Sequence, residues 1–584
     1  MNNLELSKKK QISKPVIIVG ICSATTLILT SFIWIIYPFP SKEKVPFTQM
    51  NHPILYKGEL WTEEAVVKDE IIYLPVDFFL KNIDPNAVID ELSNSIIITT
   101  KDRVMQMPSD SLTYFVNEEE FSIQFPILIH EQAIPYVAIT PLLEYYSISV
   151  DLLPSTGIVK VLEHGEIVLE GIVLEEKEDL LKLRTRPSLV EPYYSNINIG
   201  EIVEIEYEEQ GFYLVRKHNG VAGYVLKEAI ELTNKFNVSF IKDYEPVSQP
   251  KIDWPINLTW EAVYSFNPDT NSLPTMTGIN IVSPTWFHIS NAEGDISNLG
   301  SMEYVQWAKE RGYQIWALFA NDFTDLDMTH EVFRSYETRQ KMIRQLLAYS
   351  QMYELDGINF DIENVRLEDG PYITQFMKEA TPLLHQAGLV VSMDVTFISQ
   401  SPTWSLFYER KKLSNIVDYM MVMAYDEHWG TSPVAGSVAS LPWVEENLKK
   451  ILKEVPNDKL VLGIPLYTRL WKEEETESGN IQVSSKALSM AAVEKWIKER
   501  GLTPTLDEDS KQNYVEYFDE KENATYKIWL EDEHSLQQRV QFIHDYQLAG
   551  IATWSRFFAN EDAWEVMNTN TKHVDVFRQT KEGE

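Results

Sequence analysis

Strand-like and helix-like hydrophobic patterns alternate along the C-terminal half of this chain. Short apolar runs, typical of buried strands, are separated by longer segments with helical spacing. The predicted strands are residues 258–264, 278–282, 314–319, 357–361, 390–395, 419–424, 460–464 and 550–553. Eight such strands with helices between them predict a (β/α)8 TIM barrel over residues 256–570. The long gap before the last strand predicts a small α+β insertion near residues 474–530.

Helical stripes between these runs support the barrel prediction. Met342, Ile343 and Leu346 form an apolar stripe just before the fourth strand. Ser535 and Gln538 have the spacing of a capping box ahead of the last strand.

The N-terminal half shows β-type patterns instead. In residues 52–165, the runs 71–76, 95–100 and 134–139 predict strands, and residues 77–81 and 140–146 predict helices. This segment is therefore expected to be a small α+β domain.

A second small domain is expected over residues 166–232, where 199–205, 211–216 and 223–225 alternate as strands of a β-barrel. The proline-containing residues 233–255 predict a linker between this domain and the TIM barrel.

Residues 15–37 predict a transmembrane anchor. The run is apolar or small and reaches the length of about 20 residues that a membrane-spanning helix needs. Four lysines lie in residues 1–14, the expected cytoplasmic tail, so the bulk of the chain is expected outside the cell. A cleaved signal peptide is the alternative, but bulky residues 34–38 follow the run where a small-residue cleavage site would stand.

Composition narrows the class of protein. With 51 Lys and Arg against 87 Asp and Glu, the net charge is −36, which disfavours nucleic acid as a partner. Cys22 is the single cysteine, so no intramolecular disulfide can form, which fits export in a Gram-positive-like envelope. The 11 histidines show no metal-ligand spacing, so neither a metal nor a cofactor is expected.

The fourth predicted strand carries the most informative pattern, Asp356-Gly-Ile-Asn-Phe-Asp-Ile-Glu363. In an extended strand alternate residues share a face, so Asn359, Asp361 and Glu363 point one way. Burying carboxyl groups is costly, which argues against a purely structural role. The alternative is an acidic strand end beside a solvated loop.

This pattern resembles the D-x-x-D-x-D-x-E signature of family 18 glycoside hydrolases, the chitinase-like enzymes. Asn359 stands where many chitinases have Asp, which is similar to the spore-cortex and cell-wall subgroup. The sequence 423–426 resembles the M-x-Y-D motif of the family and contains Tyr425 and Asp426. Trp554 resembles the tryptophan at the floor of the sugar site. Three motifs on three strands form a joint signal that none would give alone.

The resemblance implies a retaining, substrate-assisted mechanism. Glu363 would protonate the glycosidic oxygen, while the 2-acetamido oxygen of the substrate attacks the anomeric carbon. Asp361 would stabilise the oxazolinium, and Tyr425 would orient the acetamido group. Since Asn359 cannot share a proton, we expect Asp361 to stay ionised, so that Asn359→Asp changes the acidic side of the pH–rate profile.

Further substrate-binding candidates lie at or beyond predicted strand ends: Asn359, Asp426, Trp554, Tyr467, Arg469, Trp286 and Asp394, with Trp471 as a further aromatic. The alternative for each aromatic residue is packing at the rim of the barrel.

Two resemblances concern the N-terminal half. Residues 52–165 resemble the domain named after the N-terminal part of copper amine oxidases, although without a histidine cluster. Residues 166–232 resemble bacterial Src-homology-3-like domains, which implies either a cell-wall peptide as partner or a spacer.

The sequence therefore predicts a single-pass membrane protein, with its N-terminus inside and its catalytic domain extracellular. It would hydrolyse N-acetylglucosamine-containing glycans, with peptidoglycan preferred to chitin oligomers. The alternative is a non-catalytic carbohydrate-binding or scaffold protein. Lectin-like relatives typically lose the acid glutamate, whereas this chain keeps Glu363.

Overall fold

The C-terminal strands close into a barrel in a computed structural model. The structure describes residues 19, 22–29, 40–175, 177–240, 252, 255–476 and 479–572. The chain forms two units, described separately below. The first contains residues 1–85, 109–112 and 123–244, and the second contains residues 86–108, 113–122 and 245–584.

Eight parallel strands, β1 to β8 in chain order, form the barrel of the second unit. They are Ile256–Glu261, Ile281–Pro284, Gln314–Ala320, Gly357–Asp361, Val390–Thr396, Tyr419–Met423, Leu460–Pro465 and Gly550–Trp554. Each strand pairs in parallel with its neighbours, and β1 pairs with β8, which closes the ring. The predicted eight-stranded barrel is confirmed.

Helices cover the outside of the barrel. They are Met302–Glu310, Leu326–Arg334, Tyr336–Tyr353, Gly370–Gln386, Arg410–Ile416, Leu441–Ile451, Glu533–Tyr546 and Glu561–Lys572. Met342, Ile343 and Leu346 are buried, as their spacing predicts. The helix before β8 begins earlier than predicted, because Asp532 forms the capping box with Ser535.

An insertion follows β7 and forms a five-stranded antiparallel sheet with one helix. Its elements are Tyr467–Glu475, Ile481–Ser489, the helix Met490–Arg500, Thr505–Asp507, Gln512–Asp519 and Ala524–Trp529. The insertion thus begins directly after β7, several residues before the predicted position.

A second antiparallel sheet belongs to the same unit although it lies early in the chain. Its strands are Val88–Asp90, Ser95–Thr99, Val104–Pro108, Thr113–Val116 and Glu119–Ser122. Arg339 connects this sheet to the barrel helices, since its guanidinium lies 2.8 Å from Glu379 and 3.5 Å from Asp90. All three side chains are buried.

The first unit consists mainly of antiparallel strands. Two four-stranded sheets contain Pro53–Tyr56, Glu59–Glu64, Val66–Lys68, Ile71–Pro75, Leu128–Glu131, Ile134–Ala138, Ile148–Leu153 and Ile158–Glu163. A seven-stranded sheet contains Ile167–Val173, Lys182–Arg184, Tyr193–Asn196, Ile202–Glu209, Phe212–Arg216, Ala222–Leu226 and Ile230–Asn237.

The predicted α+β class of residues 52–165 is wrong, because this region is β-rich. Its single described α-helix is Val76–Asn82, and the helix predicted at 140–146 is only the 3₁₀ turn Thr140–Leu142. Tight turns such as Lys57-Gly58, with positive φ at both residues, join successive strands without room for helices.

The predicted transmembrane anchor at residues 15–37, and the single-pass membrane localisation with it, are corrected by this structure. Among the described residues, no helix has the length and apolar character needed to cross a membrane. Residues 22–29 are helical within this segment. Apart from these and residue 19, the predicted segment lies outside the described residues.

Candidate active site

The fourth barrel strand separates polar from apolar side chains as its sequence predicts. Ile358 and Phe360 belong to the cluster between strands and helices, so they face outward. Alternation then directs Asn359 and Asp361 into the barrel. Asn359 is fully buried there, and Glu363 lies two residues beyond Asp361 along the same alternation, just after β4 ends. This is the C-terminal end of the barrel, where enzymes of this fold carry their active sites.

Two polar residues from neighbouring loops hold the Glu363 backbone. Asn321, which follows β3 and is buried, accepts from the Glu363 N–H at 2.9 Å and donates to its carbonyl oxygen at 2.9 Å. The Tyr408 hydroxyl donates to the Ile362 carbonyl at 2.8 Å. Sequence reasoning missed both residues, although a polar residue directly after the apolar β3 run was a signal for Asn321.

The environment at this end of the barrel raises the pKa values of two carboxyl groups, those of Asp361 and Glu363. Burial raises the pKa of Asp361 from 3.8 to about 7. Burial also raises the pKa of Glu363 well above its ordinary value, with further contributions from the negative charges of Asp361 and Asp426. These effects favour the protonated form of Glu363, the form that a general acid needs.

Asn359 contacts the next strand rather than Asp361. Its amide donates to Asp394 Oδ2 at 2.7 Å, and its carbonyl accepts from the Ser392 hydroxyl at 2.7 Å. Asp394 is only 2% exposed, which leaves little of it available to a sugar. We expected Asp361 to stay ionised because Asn359 cannot share a proton with it. Its pKa of about 7 differs from that expectation, because burial favours the protonated form.

Tyr425, at the end of β6, lies in the same electrostatic environment. Burial, followed by the charge of Asp394, raises the pKa of its phenol well above the ordinary value. The hydroxyl therefore stays protonated and can donate a hydrogen bond. Its ring packs edge-on against Tyr467 at 6.3 Å between centroids.

Three predicted binding residues form one hydrogen-bonded group at the rim. Asp426 accepts from the Tyr467 hydroxyl at 2.6 Å and from Arg469 Nη2 at 2.9 Å. The Arg469 guanidinium also lies 5.4 Å from the centre of the Tyr467 ring. Asp426 and Tyr467 come from the ends of β6 and β7, so the structure brings together residues that are distant in sequence.

Trp554 ends β8 and packs against the interior of the barrel. Its ring lies 6.0 Å from that of the buried Trp260, and part of it remains accessible. This position at the bottom of the opening suits an aromatic floor.

The structure does not place Trp286 or Trp471 where they could contact a sugar. Trp286 is fully buried beside Tyr304 and donates to Asn267 Oδ1 at 2.7 Å. Trp471 is fully buried and donates to the Gly436 carbonyl at 2.8 Å. Their predicted roles in binding are corrected to packing and hydrogen bonding within the fold.

Exposed aromatic residues that the sequence analysis did not select follow several strands. Tyr264 and Phe266 come after β1 and are 85% and 88% exposed. Trp404 follows β5, Trp429 follows β6 and Phe557 follows β8, and all three are exposed. Loops after barrel strands lie at the same end as Glu363.

The described part of the chain contains no cluster of three or more His, Cys, Asp or Glu side chains arranged to hold a metal ion. The chemistry available at this end of the barrel is that of carboxyl, phenol, amide and guanidinium groups.

Comparisons with known proteins match two parts of the chain. Residues 320–559 match the model of the Glycosyl hydrolases family 18, and residues 57–161 match that of the Copper amine oxidase N-terminal domain. The Src-homology-3-like resemblance of residues 166–232 stays a prediction, and so does the cell-wall peptide as its partner.

Relatives match part of this chain. An uncharacterized glycosylase of Bacillus subtilis is 25% identical over 48% of this chain and 81% of its own length. The cortical fragment-lytic enzyme of Bacillus subtilis is 25% identical over 39% of this chain, which spans 53% of that protein. The crystal structure of a chitinase from Chromobacterium violaceum has a TM-score of 0.48 and 20% identity, covering 55% of this chain and 99% of its own.

Proposed function

We propose that this chain, whose residues 320–559 match the glycosyl hydrolases of family 18, cleaves N-acetylglucosamine-containing glycans with retention of anomeric configuration. The proposed substrate is peptidoglycan, followed by chitin oligomers. The observation that supports catalysis best is the carboxyl pair Asp361 and Glu363, in which burial raises both pKa values and favours the protonated form of Glu363.

In the first step Glu363 gives its proton to the glycosidic oxygen as the bond to the anomeric carbon breaks. The carbonyl oxygen of the substrate's 2-acetamido group attacks that carbon and forms an oxazolinium ring. Asp361, when ionised, accepts a hydrogen bond from the acetamido N–H and stabilises the positive charge. Tyr425 donates to the acetamido oxygen and orients it for attack.

In the second step the ionised Glu363 removes a proton from water, which opens the oxazolinium ring at the anomeric carbon. Each of the two displacements inverts the anomeric carbon, so the product has the same anomeric configuration as the substrate. Glu363 is then protonated again and ready for the next substrate.

The substrate class rests on the acetamido requirement and on the relatives. A mechanism that uses the 2-acetamido group can cut only after an N-acetylated sugar, which both peptidoglycan and chitin contain. Relatives are named as a cortical fragment-lytic enzyme and as chitinases, which supports both candidates. We place peptidoglycan first because the cortical fragment-lytic enzymes match 39–44% of this chain at 25–26% identity, whereas the probable chitinase matches 28% of it at 25% identity.

The exposed aromatic residues after β1, β5, β6 and β8 are proposed to stack on the apolar faces of sugars flanking the cleaved bond. Asp426 and Arg469 are proposed to bind sugar hydroxyls beside them. Five aromatic platforms around one opening suit a polymer better than a monosaccharide.

The test compares the full-length protein with its Glu363→Gln variant on purified peptidoglycan and on N-acetylglucosamine oligomers, with products identified by mass spectrometry. Glu368→Gln is the matched control, because Glu368 is exposed in the same loop. We expect new reducing ends from the parent and the control but not from Glu363→Gln. Binding of either glycan without products from the parent would refute catalysis and favour a binding protein.

A further inference from the structure

The most unusual feature of the site is a third buried carboxyl group, Asp394 on β5. The register of β4 and β5 pairs Asn359 with Ser392 and Phe360 with Met393. Its next step places Asp361 beside Asp394, at the strand spacing of about 4.8 Å. Both side chains enter the barrel interior, so two acids lie next to each other on neighbouring strands.

The hydrogen bonds of Asp394 are divided unequally between its two oxygens. Oδ2 accepts the Asn359 amide at 2.7 Å, whereas Oδ1 is buried and has no hydrogen-bond partner. Asp361 Oδ1 is likewise buried and unpartnered. Within the described residues, none of the ion pairs involves either acid. Two buried carboxylates facing each other without a cation cannot both remain ionised.

We propose that Asp394 is a neutral carboxylic acid whose carbonyl oxygen Oδ2 accepts the Asn359 amide and whose Oδ1 hydroxyl donates to Asp361 Oδ1. One proton thereby satisfies both unpartnered oxygens. Asp394 acts as a positioning residue, because its hydrogen bond orients the Asp361 carboxylate and favours the ionised form. This inference rests on the proposed function for the role of Asp361, but the protonation of Asp394 can be measured without substrate.

Asn359 determines which oxygen of Asp394 holds the proton. Its amide N–H can only donate, so it fixes Asp394 Oδ2 as the acceptor and leaves Oδ1 as the site of the proton. The Ser392 hydroxyl sets the orientation of Asn359 by donating to its carbonyl oxygen. An aspartate at residue 359 would present an oxygen instead and remove this bias.

The charged and titratable groups around Asp394 favour its neutral form. Burial and the negative charge of Asp361 raise its pKa well above the ordinary value, the Asn359 hydrogen bond opposes this, and Glu363 adds to it. Tyr408 and Tyr425 also interact with Asp394, and burial raises the pKa of both phenols, so neither supplies a charge.

The test is infrared spectroscopy of the full-length protein at about pH 8.5, where Asp361, with a pKa of about 7, is ionised. The Glu363→Gln background is used so that Glu363 contributes no protonated carboxyl band. We expect the C=O stretching band of a protonated carboxylic acid, its loss in Asp394→Asn, and its retention in Asp369→Asn. Asp369 is a matched control, since it is 1% exposed but lies 2.7 Å from His330. Retention of the band in Asp394→Asn would overturn the proposal.

The pH dependence of kcat/KM, measured with Glu363 intact, gives the second arm. Asparagine at 394 can accept from Asn359 and donate to Asp361 as the neutral acid does, so we expect kcat/KM within about threefold and unchanged pH limbs. Asp394→Ala removes a hydrogen bond to a charged group and should lower kcat/KM about tenfold or more. A shift of the alkaline limb to lower pH in Asp394→Asn would mean that a charge had been removed, and would contradict a neutral Asp394.

Inactivity of the parent protein on every glycan would refute the proposed function but leave the infrared result intact. The two hypotheses therefore fail separately.

Discussion

Replacing Asp361 with Asn should stabilise the fold while it abolishes activity, and the stabilisation should depend on pH. The pKa of Asp361 rises from 3.8 to about 7 on folding because the group is buried. An acid with a raised pKa binds its proton more tightly in the folded state, so stability falls as pH rises from the ordinary pKa to the folded one. Asparagine cannot ionise and does not incur this loss.

The magnitude follows from the two pKa values. A difference of about 3 pKa units corresponds to a loss of about 4 kcal/mol of folding stability once the pH exceeds 7. At about pH 5 the same relation gives a loss of only about 1.6 kcal/mol of folding stability. The advantage of Asp361→Asn over the parent should therefore grow by about 2.5 kcal/mol between about pH 5 and about pH 7.5. These values are upper estimates, because the asparagine must itself be accommodated.

The assay is differential scanning calorimetry of the full-length protein at both pH values, comparing the Tm of the barrel transition. The chain has more than one unit, so Tm differences are compared rather than a single free energy. Asp322→Asn is the control with opposite sign, since hydrogen bonds from Thr324 lower the pKa of Asp322. A Tm advantage that does not change with pH, or an Asp361→Asn variant less stable than the parent at about pH 7.5, would refute the reasoning.

Four further outcomes are expected. Tyr425→Phe should lower kcat by about 10-fold to 100-fold with little change in KM, because the lost hydrogen bond acts on the reacting acetamido group; steady-state kinetics on glycan fragments would show a raised KM alone if Tyr425 served only binding. Trp429→Ala should raise KM for long oligomers more than for short ones, because Trp429 is exposed beyond β6; equal effects on both lengths would argue against a stacking subsite. Arg339→Ala should cost about 3–5 kcal/mol because Glu379 is left buried and without its cation; an unchanged calorimetric transition would contradict this. EDTA should leave glycan hydrolysis unchanged, since carboxyl groups and the substrate's acetamido group carry the proposed chemistry; activity lost to EDTA and regained with a divalent metal would contradict it.

The barrel could be predicted from sequence because its strands are short apolar runs buried on both faces. The limits of β4 were predicted correctly at both ends, and those of β3 and β7 within one residue. The start of the helix before β8 was predicted less well. The sequence analysis placed the N-cap at Ser535 instead of Asp532, because both residues are typical N-caps. The insertion was placed late, since its first strand follows β7 with almost no turn residues between them.

The carboxyl groups of the site could also be found from sequence, because alternation along one strand places Asp361 and Glu363 on one face. Contacts between strands could not. That Asn359 bonds to Asp394 depends on the register of β4 and β5, and that Asn321 holds Glu363 depends on the loop after β3. Trp286 was predicted to bind substrate but is buried. A tryptophan after a barrel strand has the same sequence pattern whether it faces the opening or the helix layer, so the sequence could not distinguish the two.

The anomeric configuration of the first product tests the central claim most directly. Proton NMR of N-acetylglucosamine oligomers or peptidoglycan fragments would be recorded within the first minutes of hydrolysis by the full-length protein, before mutarotation. The substrate-assisted mechanism through Glu363 and Asp361 requires the β-anomer to appear first. Initial release of the α-anomer would mean direct attack by water on the opposite face, and would contradict the mechanism proposed for this site.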